Sequence, residues 1–303
     1  MENSNSPRAT VVITTRNRGS DLRVALTSAL KQDEPIDILV IDDGSSDGTS
    51  EMVAREFPSV RVERSEKSLG LVVQRNRAAQ MVRTPFIVSI DDDAEFTSPR
   101  VVRQTLEKFS HPVIGAVGIP FIDIKLNDKV QQKAPDEQGV HIAHWYIGTA
   151  HAVRTEVFRA VGGYRGFFYS QYEELDVGMR LFDAGYIIRL GSSDPIHHYL
   201  SPKRQLGRNV TYSLRNLLLI GFLNVPFPQM LTHQARACYQ GLKKHGASRL
   251  LGSVLLGMVR GFWGHIRYFP QRRPMTGENY RLYNRLSKSI GGMRYDDLFG
   301  RPL

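Results

Sequence analysis

The sequence predicts an α/β fold with a mostly parallel central sheet flanked by helices. In the N-terminal half, β-branched apolar runs alternate with segments whose apolar residues recur at helical spacing. Strands that alternate with helices of about a dozen residues are typical of right-handed βαβ units, which build parallel sheets. Two acidic clusters directly follow apolar runs, at the strand ends where such sheets bind ligands.

The individual elements follow from this periodicity, and each range is a prediction. The apolar runs predict strands at 9–15, 36–42, 60–65 and 85–91. The helical patterns predict helices at 21–32, 46–57, 71–82 and 172–186, the third opened by Gly70 and the last ended by Gly185. After Pro202, amphipathic stretches predict a C-terminal helical extension, with helices at 208–222, 229–244, 248–265 and 277–289.

Length and composition are those of a globular protein with one large domain or a domain plus an appendage. The 303 residues are 41% hydrophobic and 23% charged. A single cysteine, Cys238, excludes an intramolecular disulfide and agrees with a reducing compartment. No signal peptide and no transmembrane helix is expected, because the chain lacks the apolar runs that they need. We therefore expect a cytoplasmic protein.

The net charge of +10 is unevenly distributed. Residues 1–200 are mildly acidic, whereas residues 203–303 are strongly basic and contain only three acidic residues, Glu278, Asp296 and Asp297. We therefore expect two parts, an α/β body over 1–202 and a basic amphipathic helical region over 203–303. A basic surface can serve a nucleic acid, an anionic lipid or a phosphorylated substrate.

Three adjacent aspartates follow the strand predicted at 85–91. Asp91, Asp92 and Asp93 cannot all stay ionised without a counter-charge, which a divalent cation would provide. Oxygen ligands favour Mg²⁺ or Mn²⁺. Asp91 and Asp93 would point to one side of an extended segment and Asp92 to the other. A solvated acidic turn is the alternative, but the buried strand directly before it favours a cation site.

Polar groups at the other strand ends are candidates for binding a nucleotide. Asp43 follows the second strand, where a carboxylate can accept from a ribose hydroxyl or a base N–H. Thr15 and Arg16 end the first strand and suit phosphate or base contacts, unless they belong to an ordinary polar loop. Arg75 or Arg77, in the third helix, could face a diphosphate or lie on the surface.

The segment YEELDVGMRL offers carboxylates at a helix N-terminus, where the helix dipole favours anions. Asp176 and Arg180 are four residues apart and can form a structural ion pair. Glu174 then lacks an evident partner, which makes it a candidate general base, with Asp176 as its rival. Farther on, His197 or His198 follows a strand and could complete the metal site, unless both are ordinary surface histidines.

The ordered motifs VVITTRNR, LVIDDGSSDGT, GLVVQRNRAA and FIVSIDDDAEF resemble those of family 2 glycosyltransferases of the GT-A fold. GTAHAVRTEVFRAVGGY and YEELDVGMRLFDAGY continue the resemblance, which covers residues 8–200. It implies a Rossmann-like catalytic domain over 1–202 that binds a nucleotide sugar. The reaction implied is an inverting transfer of the sugar from a nucleotide-diphosphate donor to a hydroxyl acceptor, with Mn²⁺ or Mg²⁺ as cofactor.

The resemblance also assigns roles to individual residues. It implies that Asp43 binds the base or ribose, that Asp91 and Asp93 are the ends of a DxD motif, and that Asp93 is the metal ligand proper. Asp92, which lies between them, is expected among the residues that bind the nucleotide-sugar donor. The family's ED motif falls on Glu173 and Glu174, with Glu174 in the base position where aspartate is usual. A histidine that some members use on the metal matches His197 or His198, and which of the two remains open.

The basic C-terminal region suits either a cover over the acceptor cleft or a helix on an anionic membrane surface. Core helices of a small subdomain are the plainer alternative. A membrane-surface helix would imply a lipid-linked saccharide acceptor, cell-envelope polysaccharide synthesis and a peripheral location at the inner face of the cell membrane. A metal-dependent nucleotidyltransferase is the rival enzyme. A nucleic-acid-binding protein is less favoured, because the basic region shows no known nucleic-acid-recognition motif. No nucleic-acid partner is therefore expected.

Overall fold

The computed structural model describes residues 6–199, 206–289 and 291–303. Its elements up to the middle of the chain are β1 (Ala9–Thr15), α1 (Gly19–Ala29), β2 (Ile36–Asp42), α2 (Thr49–Glu56), β3 (Arg61–Arg64), α3 (Leu71–Met81), β4 (Phe86–Asp91), β5 (Ala94–Phe96), α4 (Val101–Glu107), β6 (Ile114–Gly118), β7 (Phe121–Asp123), β8 (Val130–Gln131), β9 (His141–Ala143) and β10 (Ala150–Arg154). The elements that follow are α5 (Thr155–Ala160), α6 (Glu173–Asp183), β11 (Ile187–Leu190), β12 (Ile196–His198), α7 (Leu206–Asn224), α8 (Gln229–His245), α9 (Leu251–Arg267), α10 (Gly277–Ser287), β13 (Met293–Arg294) and α11 (Tyr295–Phe299).

The central sheet has nine strands in the described residues, in the order β13-β9-β11-β6-β10-β4-β1-β2-β3. Only β10 and β9 run against their neighbours on both sides, so the other seven strands share one direction. The mostly parallel sheet flanked by helices is therefore confirmed, and so are the predicted N-terminal strands and helices to within a few residues. The two reversed strands were not predicted.

The helices cover both faces of this sheet because its strands alternate their side chains. Val11 and Ile13 of β1 belong to the core that includes α1, α2 and α4, whereas Val12 belongs to the core that includes α3, α5 and α6. All three valine and isoleucine side chains are almost fully buried. Burial of each contributes roughly 1.5–3 kcal/mol, which explains why these strands read as continuous apolar runs.

Strand register brings the acidic clusters to one edge. The parallel pairing of β1 with β2 sets Thr15 beside Asp42, and the pairing of β1 with β4 sets Thr14 beside Asp91. A second sheet of the described residues, in the order β5-β12-β7-β8, continues from this edge. Within it, His198 pairs with Ala94 on one side and with Asp123 on the other. The chain thus returns to the aspartates from a distance of about one hundred residues along the sequence.

The C-terminal helices are confirmed close to the predicted bounds, at α7, α8, α9 and α10. Helices α7, α8 and α9 pack against one another, α7 also packs on α6, and α10 packs on α6. The chain then adds β13 to the sheet beside β9. The predicted boundary after residue 202 lies outside the described residues, and the division into two parts stays a prediction. None of the described helices has the length and hydropathy needed to cross a bilayer.

Helix α9 lies close to α7 because three of the four buried residues on its packed face are glycines, the fourth being Val254. A Cβ atom at Gly257 would stand 2.9 Å from the Thr211 carbonyl oxygen, and one at Gly261 would stand 2.6 Å from Leu218 Cδ1. Gly264 meets Leu219 in the same way. Larger side chains at these positions would force the two helices apart, since the distance between packed helices is set by the side chains at the contact.

Gly261→Val should lower the free energy of unfolding by about 1–3 kcal/mol, because the added methyl groups overpack the contact with Leu218. Gly252→Ala is the matched control on the same helix, since a Cβ at Gly252 meets no atom within 4 Å. It should leave stability unchanged or raise it by up to about 1 kcal/mol. Urea denaturation followed by circular dichroism measures both, and equal midpoints for the two variants would contradict this packing.

Candidate active site

Three potential metal ligands meet where β4 ends and β12 passes. The ligand atoms of Asp91, Asp93 and His198 all lie within 4.8 Å of one another. His198 Nε2 is 3.3 Å from Asp93 Oδ1 and 3.9 Å from Asp91 Oδ2. The other ring nitrogen, Nδ1, hydrogen-bonds the Asp123 carboxylate, which fixes the ring with Nε2 toward the aspartates. His197, its neighbour on β12, is not part of this cluster.

The donor set fits a divalent cation. Asp91 Oδ1 accepts a hydrogen bond from Arg75 at 2.8 Å, and Asp93 Oδ2 accepts one from Arg18 at 2.8 Å. The remaining oxygens are the ones closest to His198. Each carboxylate is thus held by an arginine through one oxygen and turns the other oxygen toward His198. Two carboxylates with one imidazole are a usual ligand set for a first-row divalent metal.

The charges at this cluster are strongly coupled. Burial lowers the pKa of His198, but the hydrogen bonds to Asp93 and Asp123 and the charge of Asp91 outweigh it and raise that pKa to about 9. Burial alone would raise the pKa of Asp93, yet His198 and Arg18 lower it overall. His198 thus adds to the positive charge that Arg75 and Arg18 place beside the two carboxylates.

Asp92 shares Arg18 with Asp93, but its second partner is Thr15. Its Oδ2 accepts from Thr15 Oγ1 at 2.8 Å, and its Oδ1 accepts from Arg18 Nη1 at 2.9 Å. Burial raises the pKa of Asp92 to about 6, against the opposing charge of Arg18. Arg16, the arginine singled out in the sequence, is exposed instead. Asn17, at φ 54°, turns the chain between the two, and Arg18 reaches the aspartates.

Asp43 ties the end of β2 to the start of α3. It accepts from Ser68 Oγ at 2.6 Å, from Gln74 Nε2 at 2.7 Å and from the backbone of Leu69 and Gly70. These bonds outweigh the effect of burial and lower the pKa of Asp43. The carboxylate is thus ionised and oriented, and it shapes the loop 68–70 beside the predicted nucleotide cleft.

Arg75 joins the metal cluster to the candidate base. Its Nη2 donates to Asp91 Oδ1 at 2.8 Å and to the Gly148 carbonyl at 2.9 Å, and its Nη1 lies 3.6 Å from Glu174 Oε1. The guanidinium is almost fully buried. A Cβ atom at Gly148 would stand 2.0 Å from Glu174 Oε1, so the glycine leaves the space that this carboxylate fills.

Glu174 has the electrostatics of a general base. Burial and the adjacent Glu173 carboxylate raise its pKa to about 8, although Arg75 opposes them. A carboxyl group with such a pKa can hold or release a proton near neutral pH. Glu173 is buried too, its pKa is also raised by burial, and within the described structure its Oε2 finds no hydrogen-bond partner.

Asp176, the rival base, lies in a structural ion pair. It is fully buried and hydrogen-bonded to Arg165, to Arg180 at 2.8 Å and to Asn224 Nδ2 at 2.8 Å. The two arginines outweigh the effect of burial and lower the pKa of Asp176. The structure therefore does not bring Asp176 to the metal cluster, and it forms the i,i+4 pair with Arg180 that the spacing predicted.

A strained loop places the two glutamates. Tyr169, Gln171 and Tyr172 have positive φ values of 63°, 75° and 66°, in the four residues before α6 begins. Each costs about 1 kcal/mol or more for a residue other than glycine. Asn216 of α7 offsets this strain, because its fully buried Nδ2 donates to the carbonyls of residues 168, 170 and 171 at 3.1, 2.8 and 2.7 Å.

The structure thus brings together Thr15, Arg75, Asp91, Asp92, Asp93, Glu174 and His198, and sets Asp43 at the adjoining loop. It does not bring Arg16, Asp176 or His197 to them. Sequence reasoning missed four supporting residues, which are Arg18, Asp123, Gly148 and Asn216. Arg18 ends the motif VVITTRNR, whereas Asp123 and Asn216 carry no local signal because their partners are remote in sequence.

The model of the family described as Glycosyl transferase family 2 matches residues 10–176, and the chain belongs to this family. It is therefore a glycosyltransferase rather than the nucleotidyltransferase that the sequence left open. The N-acetylglucosaminyl-diphospho-decaprenol L-rhamnosyltransferase of Mycobacterium tuberculosis is 25% identical over 236 residues, which cover 62% of this chain and 75% of that protein.

Solved structures confirm the GT-A fold. The 1–349 portion of S. aureus TarS superposes with a TM-score of 0.63 at 16% identity, covering 92% of this chain and 90% of that one. The mannosyltransferase PcManGT from Pyrobaculum calidifontis, solved with GDP-Man and Mn²⁺, gives a TM-score of 0.58 at 17% identity and covers 86% of this chain and 88% of that one.

Asn216→Leu should lower kcat for glycosyl transfer by about 10- to 100-fold, because the loop before Glu174 relaxes and this candidate base shifts. Stability should fall by about 1–3 kcal/mol, since buried carbonyls lose their donor. Ser213→Ala, one turn earlier on α7, is the matched control, because its hydroxyl donates only a long bond of 3.5 Å to the Gln171 side chain and holds no backbone carbonyl. Steady-state kinetics measure the effect. An unchanged kcat in Asn216→Leu would show that the loop before α6 keeps its conformation without Asn216.

Proposed function

We propose that this glycosyltransferase moves a sugar, with inversion, from a nucleotide-diphosphate donor to a hydroxyl of a saccharide or lipid-linked saccharide. The observation that supports this most is the arrangement of Asp91, Asp93 and His198 beside Glu174, with Arg75 between the two groups. The two aspartates and the histidine suit a metal with a diphosphate, and Glu174 suits an acceptor hydroxyl. An inverting transfer needs both on opposite sides of the sugar.

Asp91, Asp93 and His198 would hold the metal, and we propose Mn²⁺ over Mg²⁺. Mg²⁺ favours an all-oxygen set, whereas Mn²⁺ accepts an imidazole with carboxylates. The mannosyltransferase of similar fold was solved with Mn²⁺. When bound there, the cation would supply positive charge for a leaving diphosphate.

The chain's own residues then divide the remaining work. Glu174 takes the proton of the acceptor hydroxyl as that oxygen forms its bond to the anomeric carbon, and the bond from this carbon to the diphosphate oxygen breaks with its electron pair on the diphosphate. Arg75 holds the Glu174 and Asp91 carboxylates in their relative positions. Arg18 and Thr15 fix the buried Asp92 carboxylate through hydrogen bonds. Asp43 shapes the loop against which the nucleoside would lie.

We further propose a lipid-linked saccharide acceptor in cell-envelope polysaccharide synthesis. The mycobacterial relative is named for transfer of rhamnose to a decaprenol-diphosphate-linked sugar. An acceptor of this kind resides in a bilayer, so the enzyme would work in the cytoplasm at the inner face of the cell membrane. The basic region 203–303 would then contact either that surface or the acceptor.

The decisive experiment incubates the protein with Mn²⁺, a saccharide acceptor and a panel of UDP-, GDP- and dTDP-sugars, and follows nucleoside diphosphate release. One donor should release its diphosphate only with metal. Asp93→Ala should reduce release by at least about 100-fold and weaken Mn²⁺-dependent donor binding in calorimetry, because a metal ligand is lost. Asp128→Ala, at an exposed aspartate, is the control. No heat with any donor and Mn²⁺ would rule out the proposal.

Glu174→Gln should lower kcat by about 100- to 10,000-fold while donor binding and stability persist, because only the proton acceptor is lost. Asp176→Asn is the contrasting variant on the same helix. It should lower the free energy of unfolding by about 3–5 kcal/mol, since Arg165 and Arg180 lose their buried counter-charge. Full activity in Glu174→Gln would transfer the base role to Glu173.

The pH profile provides a second readout for Glu174. A base must be ionised to accept a proton, and the pKa of Glu174 is raised to about 8. kcat/KM for the acceptor should therefore increase with pH through that value and level off above it. The residual activity of Glu174→Gln should lack this acidic limb, and an identical limb in both proteins would assign it to another group.

A further inference from the structure

Helix α9 turns six large apolar side chains toward solvent and three glycines toward α7. Gly257, Gly261 and Gly264 face α7 and are buried. The opposite face has relative exposures between 43% and 71%, and consists of Leu255, Leu256, Val259, Phe262, Trp263 and Ile266. At 3.6 residues per turn these six side chains form one continuous stripe, which we term the outer face of α9.

This arrangement is the reverse of that in an ordinary surface helix. An amphipathic helix of a globular protein packs its apolar stripe on the core and shows its polar side to water. Here the side with the large apolar groups is the one left uncovered within the described structure. Contiguous exposed apolar surface of this kind marks an interaction site. The α7 contact alone, made by glycines, gives no reason for leucine, phenylalanine and tryptophan on the far side.

The permanently charged side chains of α7, α8 and α9 are all basic. No aspartate or glutamate stands between Asp194 and Glu278, a span that includes all of α7, α8 and α9. Arg260 and Arg267 lie along one border of the stripe on the helical wheel and are exposed. Further exposed basic residues lie on α8 and in the turn after it, and these are Arg236, Lys243, Lys244 and Arg249.

We propose that the outer face of α9 docks on an anionic lipid bilayer, with α9 parallel to the membrane plane. Apolar groups would enter the boundary between headgroups and acyl chains, while Arg260 and Arg267 reach the lipid phosphates with their long side chains. A second copy of the chain is the less favourable occupant, because it would bring two basic surfaces together. This inference extends the proposed function, but its test does not require transfer activity.

The test mixes the full chain with vesicles of phosphatidylcholine alone or of phosphatidylcholine with phosphatidylglycerol. The protein should float with the anionic vesicles, and binding should weaken as salt is added, because the attraction of basic residues is screened. Trp263 is one of only two tryptophans, so Trp145→Phe leaves it as the sole reporter. Its emission should shift to the blue on the anionic vesicles and be quenched by brominated lipid.

Val259→Ser/Trp263→Ser/Ile266→Ser should weaken binding to the anionic vesicles by about tenfold or more, since three side chains lose apolar burial. Leu30→Ser/Leu126→Ser is the matched control, because these residues are exposed elsewhere and should not affect binding. Arg260→Gln/Arg267→Gln should reduce the salt dependence.

Three outcomes would overturn the proposal. The first is an absence of binding to anionic vesicles at low salt, and the second is equal binding by the α9 triple variant. The third is a dimer in analytical ultracentrifugation that the triple variant dissociates, which would assign the outer face to a second copy. Transfer of the sugar to a water-soluble acceptor, followed by the release of the nucleoside diphosphate, should survive in the triple variant. Failure of transfer with intact vesicle binding would therefore count against the proposed function alone.

Discussion

The buried Arg75 guanidinium is the constraint on which the site depends. Asp91, Glu173 and Glu174 converge there from β4 and the start of α6. Carboxylates that converge in a low-dielectric interior repel one another, and a neutral residue at position 75 would leave them uncompensated. One cation on α3 instead links the end of the parallel sheet to the N-terminus of α6. The positions of the Asp91 and Glu174 carboxylates relative to each other are thereby fixed within the protein itself.

Helix α7 extends this support to the C-terminal region. Two of its asparagines are almost fully buried, and each is committed to the catalytic half of the chain. Asn216 holds the strained loop before Glu174, and Asn224 hydrogen-bonds both Asp176 and Arg165. Since α9 packs on the opposite side of α7, a surface contact at α9 and the candidate base Glu174 are separated by a single helix. Helix α7 therefore connects the packed helix α9 to the loop that precedes Glu174.

Much of this architecture could be predicted because it rests on local patterns. The buried strands show as apolar runs, and parallel pairing alone requires the residues after β1, β2 and β4 to share an edge. The small sheet could not be predicted in this way, since strands of two or three residues owe their existence to tertiary contacts. The choice of His198 over His197 depends on the register of β12 with β7, and Arg18 over Arg16 depends on one turn at Asn17. Neither leaves a periodic signal.

The order of the central sheet has one further consequence, which concerns solubility. Its two outermost strands are β3 and β13, and an outermost strand offers unpaired backbone groups to other chains. Both are short here, with four and two residues, and both display arginine, at Arg61, Arg64 and Arg294. Short charged borders of this kind resist the addition of a foreign strand. A nine-stranded sheet with an apolar interior can thus remain free of edge-to-edge aggregation.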